Sequence, residues 1–209
     1  MTGIRMLCVC VVLAAAQAAA PEIAAAGGDG DCLRALDALG VRYRTVRRKL
    51  VRTAVEVRGP LGGVDYRGYR DGPLVLDCSL VYSLARVGPL LRAAGVTAAT
   101  YSSAYQIRNI RGTNRRSRHS YGLAIDLHAF HTDRLGVVTV RDDYEQGLGD
   151  NVDCIGEPLT AAGALLRRLD CQLVRSRLFR IVLTPDYDAG HYNHFHVEAL
   201  PWSERDDVR

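Results

Sequence analysis

The residues best equipped for chemistry are six histidines, and every one lies beyond position 118. They form two groups: His119, His128 and His131, then His191, His194 and His196. An imidazole can take up a proton near neutral pH or give a nitrogen lone pair to a metal ion. In the first group, His119 stands seven residues before Asp126. If residues 122–128 form a strand, Leu123, Ile125 and Leu127 face the core, while Gly122, Ala124, Asp126 and His128 share the opposite face. A carboxylate flanked by Gly and Ala has open space before it, suited to a metal ion or to one of the chain's many arginines. In the second group, His194 and His196 would project from one face of a strand whose Phe195 and Val197 fill the core. Such a pair alone is weak evidence, because surface strands carry it by chance. Combined with a distant His-x6-Asp, it points to a metal centre.

The elements that must position these groups follow from periodicity. Asp31 suits the N-cap of a short helix carrying Leu33, Leu36 and Leu39 and stopped by Gly40. Short alternating runs from Val41 to Leu76, broken by Gly and Pro, predict strands and turns. Residues 78–94 return to helical spacing, with Pro89 a kink or break. A strand over 96–101 leads into an Arg-rich loop ending at Arg118. The strand over 122–128 pairs with 137–141 through a turn at 132–136, and Pro158–Val174 gives the clearest helix. Strands over 179–183 and 194–200 complete the chain. Hairpins outnumber βαβ crossovers in this reading, so the expected class is α+β: one domain, with an antiparallel sheet, flanking helices and a metal site on the sheet face.

The 209 residues allow one good-sized domain. At 48% hydrophobic and 24% charged, the composition excludes disordered and collagen-like chains. Arg5 followed by the apolar run from Met6 to Ala16 and an Ala-rich stretch has the layout of a secretory signal peptide over residues 1–26, leaving a domain over 27–209. The run is too short to serve as a membrane anchor. An exported chain, periplasmic or extracellular, follows. Cys8 and Cys10 leave with the signal, and Cys32, Cys78, Cys154 and Cys171 remain. Four cysteines in an exported chain indicate two disulfides among three allowed pairings. Cys32–Cys78 with Cys154–Cys171 is favoured, because each bridge joins neighbouring segments.

These features resemble a known group. His119-x6-Asp126 preceded by Ser117, the run Gly122-Leu123-Ala124-Ile125-Asp126 and the later His194-x-His196 look like the zinc peptidase superfamily of lysostaphin-type enzymes, D-Ala-D-Ala peptidases and the hedgehog signalling domain. Within it, the chain most resembles the bacterial extensin-like C-terminal domain family. That likeness rests on Cys32-Leu33-Arg34-Ala35-Leu36, the Asp77-Cys78 helix start and His191-x2-His194-Phe195-His196. The resemblance implies Zn2+ held by His119, Asp126 and His196, with the fourth tetrahedral position open for water, as in a catalytic site. It also implies His194 as general base and Arg108 as the group that stabilises an oxyanion or holds a substrate carboxylate. Ile107 stands where the family often has Cys, so the disulfide pattern departs from it. His191 is a neighbour of the metal or a substrate contact, and His128 and His131 are left outside the site.

Three functions compete. The first is a zinc hydrolase cutting an amide bond in peptidoglycan or a related cell-envelope peptide. The second is a zinc-containing envelope-binding module without hydrolysis. The third is a nuclease, prompted by His191-x-Asn193-His194 and the basic loop. The strand pattern after His194 and a net charge of only +4 weigh against nucleic acid as a partner. The basic loop itself is a solvated segment or a surface for acidic envelope polymers.

Overall fold

A computed structural model describes residues 29–149 and 153–205. The expected signal segment lies outside the described residues. Helix α1 (Asp29–Ala38) packs on α2 (Cys78–Ala93). Strands β1 (Tyr43–Thr45), β2 (Ala54–Val57) and β4 (Val75–Asp77) form a small antiparallel sheet in the order β1-β2-β4. The larger sheet runs β3 (Asp65–Gly68), β5 (Val96–Ser103), β6 (Ala124–Thr132), β9 (Phe195–Glu198), β8 (Ile181–Leu183), with β7 (Gly136–Thr139) pairing the far half of β6. Every pairing is antiparallel except β3 with β5. That single parallel pair is the crossover the hairpin reading did not include. The class is α+β, as expected.

Most elements sit within a few residues of their expected places, and the departures have local causes. The first helix begins two residues ahead of Asp31. Helix α2 runs through Pro89 without ending. Pro89 takes its place in the close contact between this part of α2 and the 61–62 turn: a Cβ on Gly62 would lie 2.3 Å from the Ala85 carbonyl oxygen and 2.9 Å from Pro89 Cδ. This is the carbonyl that a proline at position 89 leaves without its helical donor. Val140 and Arg141 leave the hairpin for a one-turn helix, α3 (Val140–Asp143), capped by Thr139. The long helix α4 (Ala161–Arg175) starts after Pro158 and Leu159, because Thr160 caps it by accepting from the Gly163 amide. Leu165, Leu166, Leu169 and Leu173 are its buried face.

Disulfides join Cys32 to Cys78 and Cys154 to Cys171. The first ties α1 to the start of α2; the second ties the segment before α4 to its middle. Two bridges in one chain point to an extracytoplasmic protein. No helix among the described residues is long and apolar enough to cross a membrane.

Two hydrogen bonds set the stage for the site. The α2 N-cap Asp77 accepts from the Ser79 amide (2.9 Å), while its own amide donates to the Gly122 carbonyl (2.9 Å). Gly122 is left-handed (φ 66°), and a Cβ there would lie 2.7 Å from the Asp77 nitrogen. It therefore closes the turn before β6 instead of belonging to the strand, which corrects the strand's expected start.

Candidate metal centre

The site is built where β6 meets β9. Asp126 of β6 lies directly across from His196 of β9, so the two side chains rise from the same face of the sheet. His119 comes from a short 3-10 turn (Arg118–Tyr121) that Ser117 caps and Gly122 ends. His119, Asp126 and His196 are all buried. His119 Nε2 lies 3.2 Å and His196 Nδ1 2.7 Å from Asp126 Oδ1. These three donors could hold a metal ion. His194, one residue before β9, brings its Nε2 to 3.6 Å from the same oxygen.

The outer nitrogens of the rings explain why the inner ones face inward. His119 Nδ1 donates to the Ala104 carbonyl (2.8 Å). His196 Nε2 pairs with Glu198 Oε1 (3.0 Å), His194 Nδ1 with Asn193 Oδ1 (2.9 Å) and His191 Nδ1 with Asp188 Oδ1 (2.7 Å). With each N–H committed outward, a neutral ring keeps its lone pair on the inner nitrogen. The inner nitrogens of His119 and His196 face the same carboxylate oxygen, which draws either a proton on the nitrogen or a metal ion in its place. A proton fills that place in the metal-free site, and a metal ion that displaces it would find the three donors already converging.

The titration behaviour follows the same geometry. Burial would raise the Asp126 pKa, but hydrogen bonds and charge from His119 and His196 outweigh it and hold the carboxyl far below the usual range. Burial alone would depress His196; hydrogen bonds to Asp126 and Glu198 overcome it and raise the ring to about 9. His194 falls to about 4, chiefly through burial and then through neighbouring imidazoles, despite the pull of Asp126. Below pH 9, a proton therefore competes with a metal for His196. We expect metal affinity to rise about tenfold per pH unit between pH 6 and 9 and then level off, as metal titrations at several pH values will show.

Arg108 sits at the rim, with Nη2 3.7 Å from Asp126 Oδ2 and a buried Nε that has no partner. Behind His196, Glu198 turns its second oxygen to Arg118 Nε at 3.9 Å. Glu198 thus forms the outer link of a carboxylate–histidine pair, a residue that spacing alone did not single out. Glu198→Gln should weaken metal binding about 10- to 100-fold without unfolding the chain, as measured by competition with a chelating dye.

All five expected site residues meet here: His119, Asp126, His196, His194 and Arg108. His191 joins them, with ring centroids 5.2 Å from His194 and 5.7 Å from His196. His128, set aside on sequence grounds, stacks on His194 at 5.0 Å and pairs with Ser102 Oγ at 2.7 Å. It buttresses the His194 ring from the β5 side. His131 stays outside, paired with Thr100 Oγ1. Beside the centre, a cleft of about 570 Å3 is lined by Tyr69, Arg70 and residues 102–106.

Fold and site together define an α+β domain with a buried His/Asp group able to hold a metal ion on its larger sheet. The family model for the extensin-like protein C-terminus matches residues 31–206. The chain belongs to that family. No curated protein and no solved structure matches it.

Proposed function

We propose that this protein is an exported zinc-dependent hydrolase that cleaves an amide bond in peptidoglycan or a related cell-envelope peptide. The observation that carries the reading is the inward convergence of His119 Nε2, Asp126 Oδ1 and His196 Nδ1, with His194 Nε2 close by. Two imidazoles and one carboxylate are the donor set of a catalytic zinc with an open position. This agrees with the resemblance to the lysostaphin and D-Ala-D-Ala peptidase superfamily. When bound, zinc supplies a Lewis acid that polarises the amide carbonyl and makes water acidic enough to attack near neutral pH.

The chain's own residues do the rest. His194, held neutral by its depressed pKa, receives the proton of the attacking water at Nε2 and returns it to the departing amine. Asn193 fixes that ring through Nδ1, and His128 packs against its face. Arg108, with a permanent charge and an unused Nε, steadies the oxyanion or anchors a substrate carboxylate. The test is digestion of purified peptidoglycan by the zinc-loaded chain, with products identified by mass spectrometry. New amine and carboxyl termini that vanish with chelator and return with zinc support the reading; intact peptidoglycan and related peptides sink it.

One observation favours a second reading. His191, His194 and His196 also form a group able to hold a metal ion. An ion held there would use His194 as a ligand and leave no base, giving a metal-containing binding module without hydrolysis.

A further inference from the structure

We propose that the face made by residues 42–58 and 105–118 binds a linear polyanion other than nucleic acid, whose repeating oxyanions are phosphates or carboxylates. The two segments are far apart in sequence but adjoin in the fold. Tyr105 Oη donates to the Lys49 carbonyl (3.0 Å), and Leu50, Arg52 and Thr53 share one cavity with Arg118 and Tyr121. Together they hold twelve of the chain's 27 basic residues and one of its 23 acidic ones; from adjoining elements Asp126 meets Arg108, Glu198 meets Arg118 and Asp77 lines the shared cavity, which leaves the excess of positive charge on the outer cations. The remainder, with fifteen basic and twenty-two acidic residues, carries −7. The modest net charge of +4 therefore conceals a strongly polarised molecule.

The single acid does little to neutralise this face. Glu56 is buried, and its carboxylate is shared by Arg44 and Arg58 at 2.6 and 2.7 Å. Arg47, Arg48, Lys49, Arg111, Arg115 and Arg116 are exposed. With a screening length of about 8 Å at physiological salt, an approaching ligand senses chiefly these six exposed cations, while Asp126 and Glu198 answer Arg108 and Arg118 behind them. The cations are spread along two segments and converge on no single point, which suits a chain of charges better than one small anion. Guanidinium groups match phosphate and carboxylate oxygens in bidentate fashion. Base stacking, by contrast, has little to use here: Tyr43 and Tyr105 are half-buried, with their hydroxyls engaged by Asp37 and the Lys49 carbonyl.

The face leads into the metal centre. Tyr105 also lines the 570 Å3 cleft, Arg108 reaches Asp126, and Arg118 reaches Glu198. Delivery of the bound polymer to that centre rests on the hydrolase reading; binding itself does not.

The test measures affinity of the folded chain, metal-loaded and chelator-treated, for inorganic polyphosphate, poly-glutamate and oligothymidine of equal charge at about 0.15 M salt. Two triple variants probe the face: Arg47→Glu with Arg48→Glu and Lys49→Glu, and Arg111→Glu with Arg115→Glu and Arg116→Glu. A control triple, Arg134→Glu with Arg141→Glu and Arg168→Glu, changes the net charge equally on exposed positions elsewhere. Polyphosphate or poly-glutamate should bind with and without metal, each face variant should lose at least about tenfold, and the control should change less than about twofold. Which of the two polymers binds tighter identifies the oxyanion. The proposal is overturned if neither polymer binds, if the control falls as far as the face variants, if metal removal abolishes binding, or if oligothymidine outcompetes both. Failure of the hydrolase reading leaves the binding results unchanged.

Discussion

His196→Ala is expected to empty the metal centre, taking the zinc content of the purified chain from about one ion to none and weakening affinity at least about 100-fold. Three consequences of one deletion combine. The variant loses an inner nitrogen, and a tetrahedral site with two protein donors left is poor. It also leaves Glu198 without its imidazole partner, with only the more distant charges of Arg118 (3.9 Å) and Arg180 acting on it. Finally, it removes the His196 hydrogen bond that helps keep Asp126 ionised. Because His196 lies on the central pair of strands, the measurement should couple metal analysis with a thermal melt of the chelated proteins. The variant should melt lower than wild type without metal, because two carboxylates lose their shared imidazole, and a cooperative melt above the assay temperature ensures that lost zinc reports lost coordination. Full zinc content in a folded His196→Ala protein would remove His196 from the ligand set.

His194→Ala should behave in the opposite way: metal retained, hydrolysis lost. The missing general base is worth about 10²- to 10⁴-fold in rate, while His119, Asp126 and His196 still present their donors. The paired measurement separates the two functional readings. If zinc stays and peptidoglycan cleavage collapses, His194 acts as the base. If zinc leaves with His194, the ion sits among His191, His194 and His196, and the binding-module reading gains. His194→Ala also removes the ring on which His128 stacks. The milder His194→Gln, which keeps polar bulk, should therefore show the same split if packing is not the cause.

Particular residues explain how much of this was legible beforehand. Asp126 and His196 were readable because strand alternation places i and i+2 on one face and leaves the apolar residues between them for the core. His119 was readable from its fixed distance to Asp126, although the bend that brings it inward depends on a left-handed Gly122 packed against Asp77. His128 was not readable as part of the site. Its neighbour His194 precedes β9, and their stacking arises only from the packing of β6 beside the turn that begins at His191. Glu198 sat two residues beyond His196, and an i+2 carboxylate on the same face was the available signal. Half of the basic face was legible as the Arg-rich loop; its union with residues 42–58 was not, because the halves are joined by tertiary contacts through Tyr105 and a shared cavity. The Arg-rich loop alone could be read either as a solvated segment or as a surface for acidic polymers. Continuity through Pro89 likewise depended on how the 61–62 turn packs against α2.

The pairing of Asp126 opposite His196 has a consequence for errors in assembly. A β-strand shifted by one residue turns every side chain to the opposite face, and a slip of β9 would set Phe195 or Val197 across from Asp126. Such a chain would bury an unpartnered carboxylate and could not complete the ligand set. An ion held by this group would add stability, by mass action, only to molecules whose strands have met in the correct frame.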